Sequence, residues 1–301
     1  MTASLPSGAP AVGDPTVLKI LLGAQLRRLR EAAGVSRDDA GYHIRASGSK
    51  ISRLELGRVS FKERDVSDLL EFYGVDPEQK DQLIQLTREA NATPWWQKYR
   101  EVVPDWFQVY VGLEEAATLI RVYEVQFVPG LLQTEEYARA VVQQGSPSLT
   151  PDEVDSRVSV RLGRQQKLLG RQDPPRVWAI VDEAALRRPM GGRDVLAGQV
   201  KRLMEAVSEP NITLQVMPFK YGGHAAEGGA FTIMRFPEAD LPDMVYMEYL
   251  TGAHYIDKPE DVEVYAAVME RLSVAGTSPE KTRDILADIL KELLRRVPAR
   301  A

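Results

Sequence analysis

The stretch from Ser47 to Arg58, SGSKISRLELGR, joins an apolar stripe to a set of hydroxyl and cationic side chains, the combination a helix needs in order to read a DNA groove. Ile51 and Leu54 stand three apart and share one helical face, so Ser49, Lys50, Ser52 and Arg53 fall on the rest of the circumference. A guanidinium or ammonium on that face reaches guanine edges or phosphates, and a serine hydroxyl serves either. Ser47 can accept a hydrogen bond from the first free amides of the helix, and Gly57 supplies the left-handed residue that ends it.

No comparable constellation of catalytic or metal-binding groups emerges elsewhere. His43, His224 and His254 are scattered without metal-ligand spacing. The run GGHAAEGG, 222–229, is rich in glycine but lacks the lysine and following helix of a phosphate loop, so it reads as a turn entering a hairpin. His224 and Glu227 form an acid-base pair only of the kind any polar loop contains, and Asp182, Glu183 and Glu248 read as caps, surface charges or partner contacts. The expectation is a protein that is not an enzyme, with no catalytic residue, metal or cofactor.

The elements that position the reading helix are legible around it. Leu18, Leu22, Leu26 and Leu29 make an amphipathic first helix, with Gln25, Arg27, Arg28 and Arg30 between them, that stops at Gly34. Ser36 starts a second, with Asp39 as capping-box partner and Ala40 and Ile44 as buried residues, and a turn through Arg45 and Ala46 leads to the third. Val66, Leu69, Leu70 and Tyr73 mark a fourth helix closed by Gly74. Asp76, Pro77 and Gln79 open a fifth that carries Leu83, Leu86 and Ala90. Helix, tight turn, helix is the DNA-reading unit, the second of the pair entering the major groove by its N-terminal residues.

Charge supports this reading. From Val17 to Arg64 there are 11 Lys and Arg against 5 Asp and Glu, whereas the whole chain carries a formal −5. Positive charge gathered on one small segment of an acidic protein is what phosphate binding predicts. At 301 residues and 44% hydrophobic composition the chain has material for a second core. The absence of cysteine excludes disulfides and thiol catalysis and fits a reducing cytoplasm. No apolar run is long enough to span a bilayer, and residues 1–16 lack the features of a signal peptide and read as a flexible tail.

The first segment resembles the helix-turn-helix of the Xre/Cro/phage-repressor family, in which the stretch S-x-S-K-I-S-R-L-E-x-G-R carries the recognition helix. The resemblance implies a five-helix bundle over 17–92, with Ser49, Lys50 and Arg53 on base edges beside Ser47, Gly48 and Ser52. Arg28 and Arg58 are expected on phosphate, and Arg37 and Lys62 complete the DNA-facing set. Gly41 stands where the family usually has alanine, which costs about 1 kcal/mol of helix propensity. A lone module buries too little surface to bind tightly, so a homodimer on a pseudo-palindromic double-stranded operator is expected.

Beyond it, TPWWQKYREVVPDWF places Trp95, Trp96, Tyr99, Trp106 and Phe107 in a connector, 93–112, expected to bury its aromatics at a domain or partner interface. Blocks that include LEEAATLIRVYEVQFVPGLLQTEEYARAVV from Leu113, DEAALRRPMGG from Asp182 and YMEYLTGAHYIDKPEDVEVY from Tyr246 resemble the C-terminal domain of Scr1-family antitoxin-like, WhiJ-like actinobacterial regulators. That resemblance implies a partner-binding domain over 113–296, its partner a small protein encoded next door.

By its own pattern the second domain is α+β. Strands are expected at Val177–Val181, Ile212–Val216, Phe231–Phe236 and Met244–Tyr249, the last two as an antiparallel hairpin. Helices are capped at Thr134, Thr150 and Ser278, giving a small, largely antiparallel sheet covered by helices. Two functions compete: an antitoxin-like repressor governed by a protein, and a one-component repressor governed by a small-molecule effector. An apolar pocket would favour the effector, a broad groove the protein.

Overall fold

Side-chain caps set out the start of the computed structural model, which describes residues 15–57, 59–237 and 241–295. α1 (Pro15–Ala32) ends before Gly34, whose φ of 68° turns the chain. Ser36 opens α2 (Arg37–His43), Ser47 opens α3 (Gly48–Glu55) and Asp76 opens α5 (Pro77–Ala90), each accepting from the amide three residues on. α4 (Glu63–Phe72) lies between and ends before Gly74, φ 74°. Leu18, Leu22, Leu26, Ala40, Ile51, Leu54, Val66, Leu69, Leu70 and Leu83 are buried together as the core of this first unit, which ends at Gln97.

Three details differ from expectation. α1 begins at Pro15, so Pro15 and Thr16 are helical, and residues 1–14 of the expected tail lie outside the described residues. The capping box at Ser36 is half made: its Oγ accepts from the Asp39 amide at 3.1 Å but donates to the Asp39 carboxylate at 2.6 Å. Gly41 is more than a lapse in helix propensity. A Cβ there would stand 2.8 Å from the Ser47 carbonyl carbon and 2.9 Å from the Gly48 nitrogen, so the glycine is where the backbone entering α3 passes over α2.

The second unit, from Lys98, centres on a six-stranded mixed sheet whose strands lie in the order β3 (Ile212–Met217), β2 (Arg176–Asp182), β1 (Leu119–Glu124), β4 (Phe231–Arg235), β5 (Met244–Tyr249) and β6 (Gly252–Ile256). α6 (Asp105–Ala116) leads into β1 (Leu119–Glu124), and α7 (Glu135–Gly145) with α8 (Pro151–Leu169) returns the chain to β2 (Arg176–Asp182). α9 (Glu183–Arg187) and α10 (Arg193–Ala206) lead in turn to β3 (Ile212–Met217). These crossovers make β1, β2 and β3 parallel, as helical connections do. β4 (Phe231–Arg235), β5 (Met244–Tyr249) and β6 (Gly252–Ile256) are antiparallel, so three of the five pairings follow the expected sense. α11 (Pro259–Ala275) and α12 (Pro279–Leu294) follow. Arg296, the last residue of the expected domain, lies outside the described residues.

One face of the sheet carries Tyr123, Ile180, Phe231, Ile233, Val245 and Met247 and packs on Val262, Met269 and Leu272 of α11. On the other face Tyr246 meets Tyr110 of α6 at 4.2 Å between ring centroids. The outer edge of β3 is closed by Thr277, which donates its amide to the Val216 carbonyl at 2.9 Å and accepts the Val216 amide on its hydroxyl at 3.0 Å.

Two helical glycines should answer alanine with opposite signs. Gly41→Ala meets backbone and should lower stability by about 1–3 kcal/mol, whereas Gly198→Ala, in open space within α10, should raise it by up to about 1 kcal/mol. Urea unfolding of the two variants checks this, and a stabilising Gly41→Ala would show that the turn has room to spare.

Candidate nucleic-acid interface

α3 is eight residues long, too short to stand alone, so its place depends on what holds it. Ile51 and Leu54 are 1% and 2% exposed and anchor its inner face. A Cβ on Gly23 would lie 2.5 Å from the Leu54 carbonyl oxygen, so α1 packs backbone to backbone on the last turn of α3. The turn from α2 holds Arg45 at φ 55°, a left-handed conformation in a non-glycine residue, and the Ala46 amide donates to the Gly41 carbonyl at 2.7 Å.

A further tie is electrostatic. Glu55, its side chain 2% exposed, accepts from Nε of Arg30 at 2.5 Å and from Nε of Arg37 at 2.9 Å, joining α3 to α1 and α2 through one carboxylate. Arg30 also donates to the Val35 carbonyl at 2.8 Å, and its hydrogen bond to Glu55 raises the guanidinium above its ordinary pKa. Burial, with the Glu55 charge behind it, pushes Tyr73 up to about 12. Sequence reasoning missed this pair, although Arg30 continues the four-residue spacing of Leu18, Leu22 and Leu26 and so belongs to the inner face.

The outer face of α3 presents Ser49 and Arg53, with Ser52 half-buried and Leu56 46% exposed just beyond. Of the two cations on this helix, Lys50 donates to Asp65 at 2.6 Å, whereas Arg53 has no ion pair among the described residues and only a 3.4 Å bond from Nε to the Ser49 carbonyl. Ser47 is occupied as the cap, and Gly48 offers backbone alone beside the Asp38 carboxylate. Arg37 keeps 44% of its side chain exposed while bonded to Glu55; Arg28 on α1 and Lys62 before α4 are exposed. Arg58 lies outside the described residues.

The aromatic run is divided among elements. Trp95, Trp96 and Tyr99 lie in a 3-10 turn, Trp96 being buried with its indole N–H unpartnered among the described residues. Trp106 and Phe107 belong to α6, where Phe107 stacks on Tyr110 at 5.4 Å and the Trp106 carbonyl accepts from the Tyr255 hydroxyl.

In the second unit, Arg164 of α8 makes two hydrogen bonds to the buried Glu114 of α6, at 2.7 and 2.6 Å, with its guanidinium over Phe107 and Tyr110. One turn earlier Arg161 donates to Gln133 at 2.8 Å, and burial, aided by the Arg164 charge, lowers it to about 10. Glu124, half-buried at the end of β1, is pushed up to about 8, first by burial and then by the charge of Glu248. His224 bonds to the Tyr123 hydroxyl at 2.9 Å and accepts from the Ala226 amide at 3.3 Å, and Asp182 caps α9. A groove of about 420 Å³ opens between α8 and α10, lined by Leu162, Gln165, Gln166, Arg202 and Glu209 among others. Among the described residues no helix is long and apolar enough to cross a membrane.

Comparison with known proteins divides the chain the same way. A helix-turn-helix domain matches residues 21–83, and a domain of unknown function, DUF5753, matches residues 107–288. Neither the curated proteins nor the solved structures hold a match. The N-terminal unit is thus the helix-turn-helix module of a DNA-binding regulator.

Two outcomes follow from these buried carboxyl groups. Glu55→Ala leaves Arg30 buried without its carboxylate and should cost about 3 kcal/mol, read as a lower unfolding midpoint; a loss within about 0.5 kcal/mol would mean that α3 is held by its apolar face alone. Glu124 holds its proton in the folded chain up to about pH 8 and releases it near 4.5 when unfolded. Folding therefore takes up a proton in that interval, and stability should fall as pH rises through it. Thermal midpoints of wild type and Glu124→Gln at pH 5.5 and pH 8.5 test this: the decline should shrink in the variant, and an equal decline in both would assign it elsewhere.

Proposed function

The chain belongs to the family defined by DUF5753, a domain of unknown function, and from that premise, with a helix-turn-helix ahead of the domain, we propose a sequence-specific transcriptional repressor governed by a partner protein. The observation that carries the reading is Arg53, a cation on the outer face of α3 with no ion pair among the described residues. Ser49, Ser52 and Arg53 read base edges, and Lys50 joins them by exchanging Asp65 for DNA. Ser47 and Gly48 bring the N-terminal amides of α3 toward phosphate, where Arg28, Arg37, Arg58 and Lys62 add positive charge.

In this reading residues 17–92 bind DNA, 113–296 dimerise and receive the signal, and the aromatic segment 93–112 couples the two. Two copies read a pseudo-palindrome, each half-site facing one α3. The resemblance to Scr1-family antitoxin-like, WhiJ-like regulators supports a small protein from a neighbouring gene as the partner. The groove between α8 and α10 is open and lined by a mixture of polar and apolar side chains, without the enclosed apolar lining that would favour a small-molecule effector.

Operators selected from random-sequence DNA by the full-length protein provide the test. Arg53→Ala should weaken binding to them about 5- to 150-fold, equivalent to about 1–3 kcal/mol, and flatten preference at one position in each half-site. Arg28→Ala should weaken selected and unselected DNA alike. Unchanged operator affinity in Arg53→Ala at moderate salt would remove α3 from the groove.

A further inference from the structure

α11 has a second face that its own unit does not use. Val262, Met269 and Leu272 are buried against the sheet, while Val264, Ala267, Arg271 and Val274 lie exposed on the opposite side, Val264 at 61% and Val274 at 87%. The spacing of these four is three, four and three, which is the seam of a helix that packs on another helix. Glu263 and Glu270 border the seam; Glu263 and Arg271 form no side-chain ion pair or hydrogen bond among the described residues, and the charge of Glu270 acts on Arg121 of β1 without a direct contact.

We propose that α11 pairs antiparallel with α11 of a second copy and so forms the dimer; the inference rests on the dimeric repressor reading above and names its surface. Register follows from symmetry. A twofold axis at position 269 sets Val264 against Val274 of the second copy and Ala267 against Arg271 of the second copy, each layer occurring twice. Every layer then pairs the two alternate seam positions, as antiparallel helices do, and the longest side chain of the seam faces the smallest. Arg271 crosses Ala267 of the second copy toward Glu263 and Glu270 of that copy, one turn to either side, which supplies the counter-charge it lacks at home. A parallel pairing would instead stack Arg271 on its own copy, so charge selects the antiparallel sense. One 17-residue helix on each side makes a small interface, so the free dimer is weak and DNA with two half-sites reinforces it.

The chain has no cysteine, which makes cross-linking unambiguous. Val264→Cys and Val274→Cys proteins, oxidised together, should give a disulfide-linked dimer at least ten times more abundant than either variant alone, because position 264 lies about 15 Å along the axis from its own copy. Sedimentation of the wild type should show a dimer near 100 µM, and Val274→Glu should sediment as a monomer with an unchanged thermal midpoint. A wild-type dimer with no preference for the mixed link would overturn the α11 surface and leave the dimeric reading standing. A monomer at that concentration, on operator DNA as in solution, would overturn both.

Discussion

One buried carboxylate ties α3 to both of the helices that precede it. An eight-residue helix has too few hydrogen bonds to offset its nucleation, so its orientation must be imposed by neighbours. Glu55 meets Arg30 of α1 and Arg37 of α2 while Ile51 and Leu54 fill the core between them. The apolar contacts and the close backbone approaches at Gly23 and Gly41 seat the helix, and the two guanidinium groups on Glu55 add a directional tie to the same orientation. Ser49 and Arg53 are outermost because Glu55 is innermost.

The second unit repeats the device at larger scale. Arg164 and Glu114 lock α8 to α6, and the Tyr110 hydroxyl donates to the same carboxylate at 2.8 Å, so the buried charges are neutralised and their remaining acceptors satisfied. Glu124 lacks any comparable partner among the described residues, and its proton is held by burial and by the neighbouring Glu248 charge instead. Neutral and charged carboxylates therefore sit on the same sheet face for different reasons.

Much of the architecture was legible because local chemistry announces it. Ser36, Ser47, Asp76, Thr134, Thr150 and Ser278 all cap helices where their sequence position says they should, and the hairpin of β4 and β5 follows its alternation. What was hidden lies in contacts between elements distant in sequence. β1 is not among the expected strands, since LIRVYE puts Arg121 between apolar residues and follows directly on the turn after α6, and β6 holds only five residues, two of them Gly252 and His254, too little alternation to read. The need for glycine at Gly23 and Gly41 comes from backbones brought together by the fold, and the pairing of Lys50 with Asp65 spans two helices. At the candidate site, the residue types were readable, but which cations are already engaged was not.

In the proposed complex α3 of each copy lies in a major groove, and guanine N7 reports on that groove directly. Dimethyl sulfate probing of selected operator DNA bound by the full-length protein should show protected N7 positions in two clusters about 10 base pairs apart, or a whole number of helical turns. Methylation that proceeds unimpeded at every guanine of a bound site, with protection confined to the minor groove, would place α3 outside the major groove.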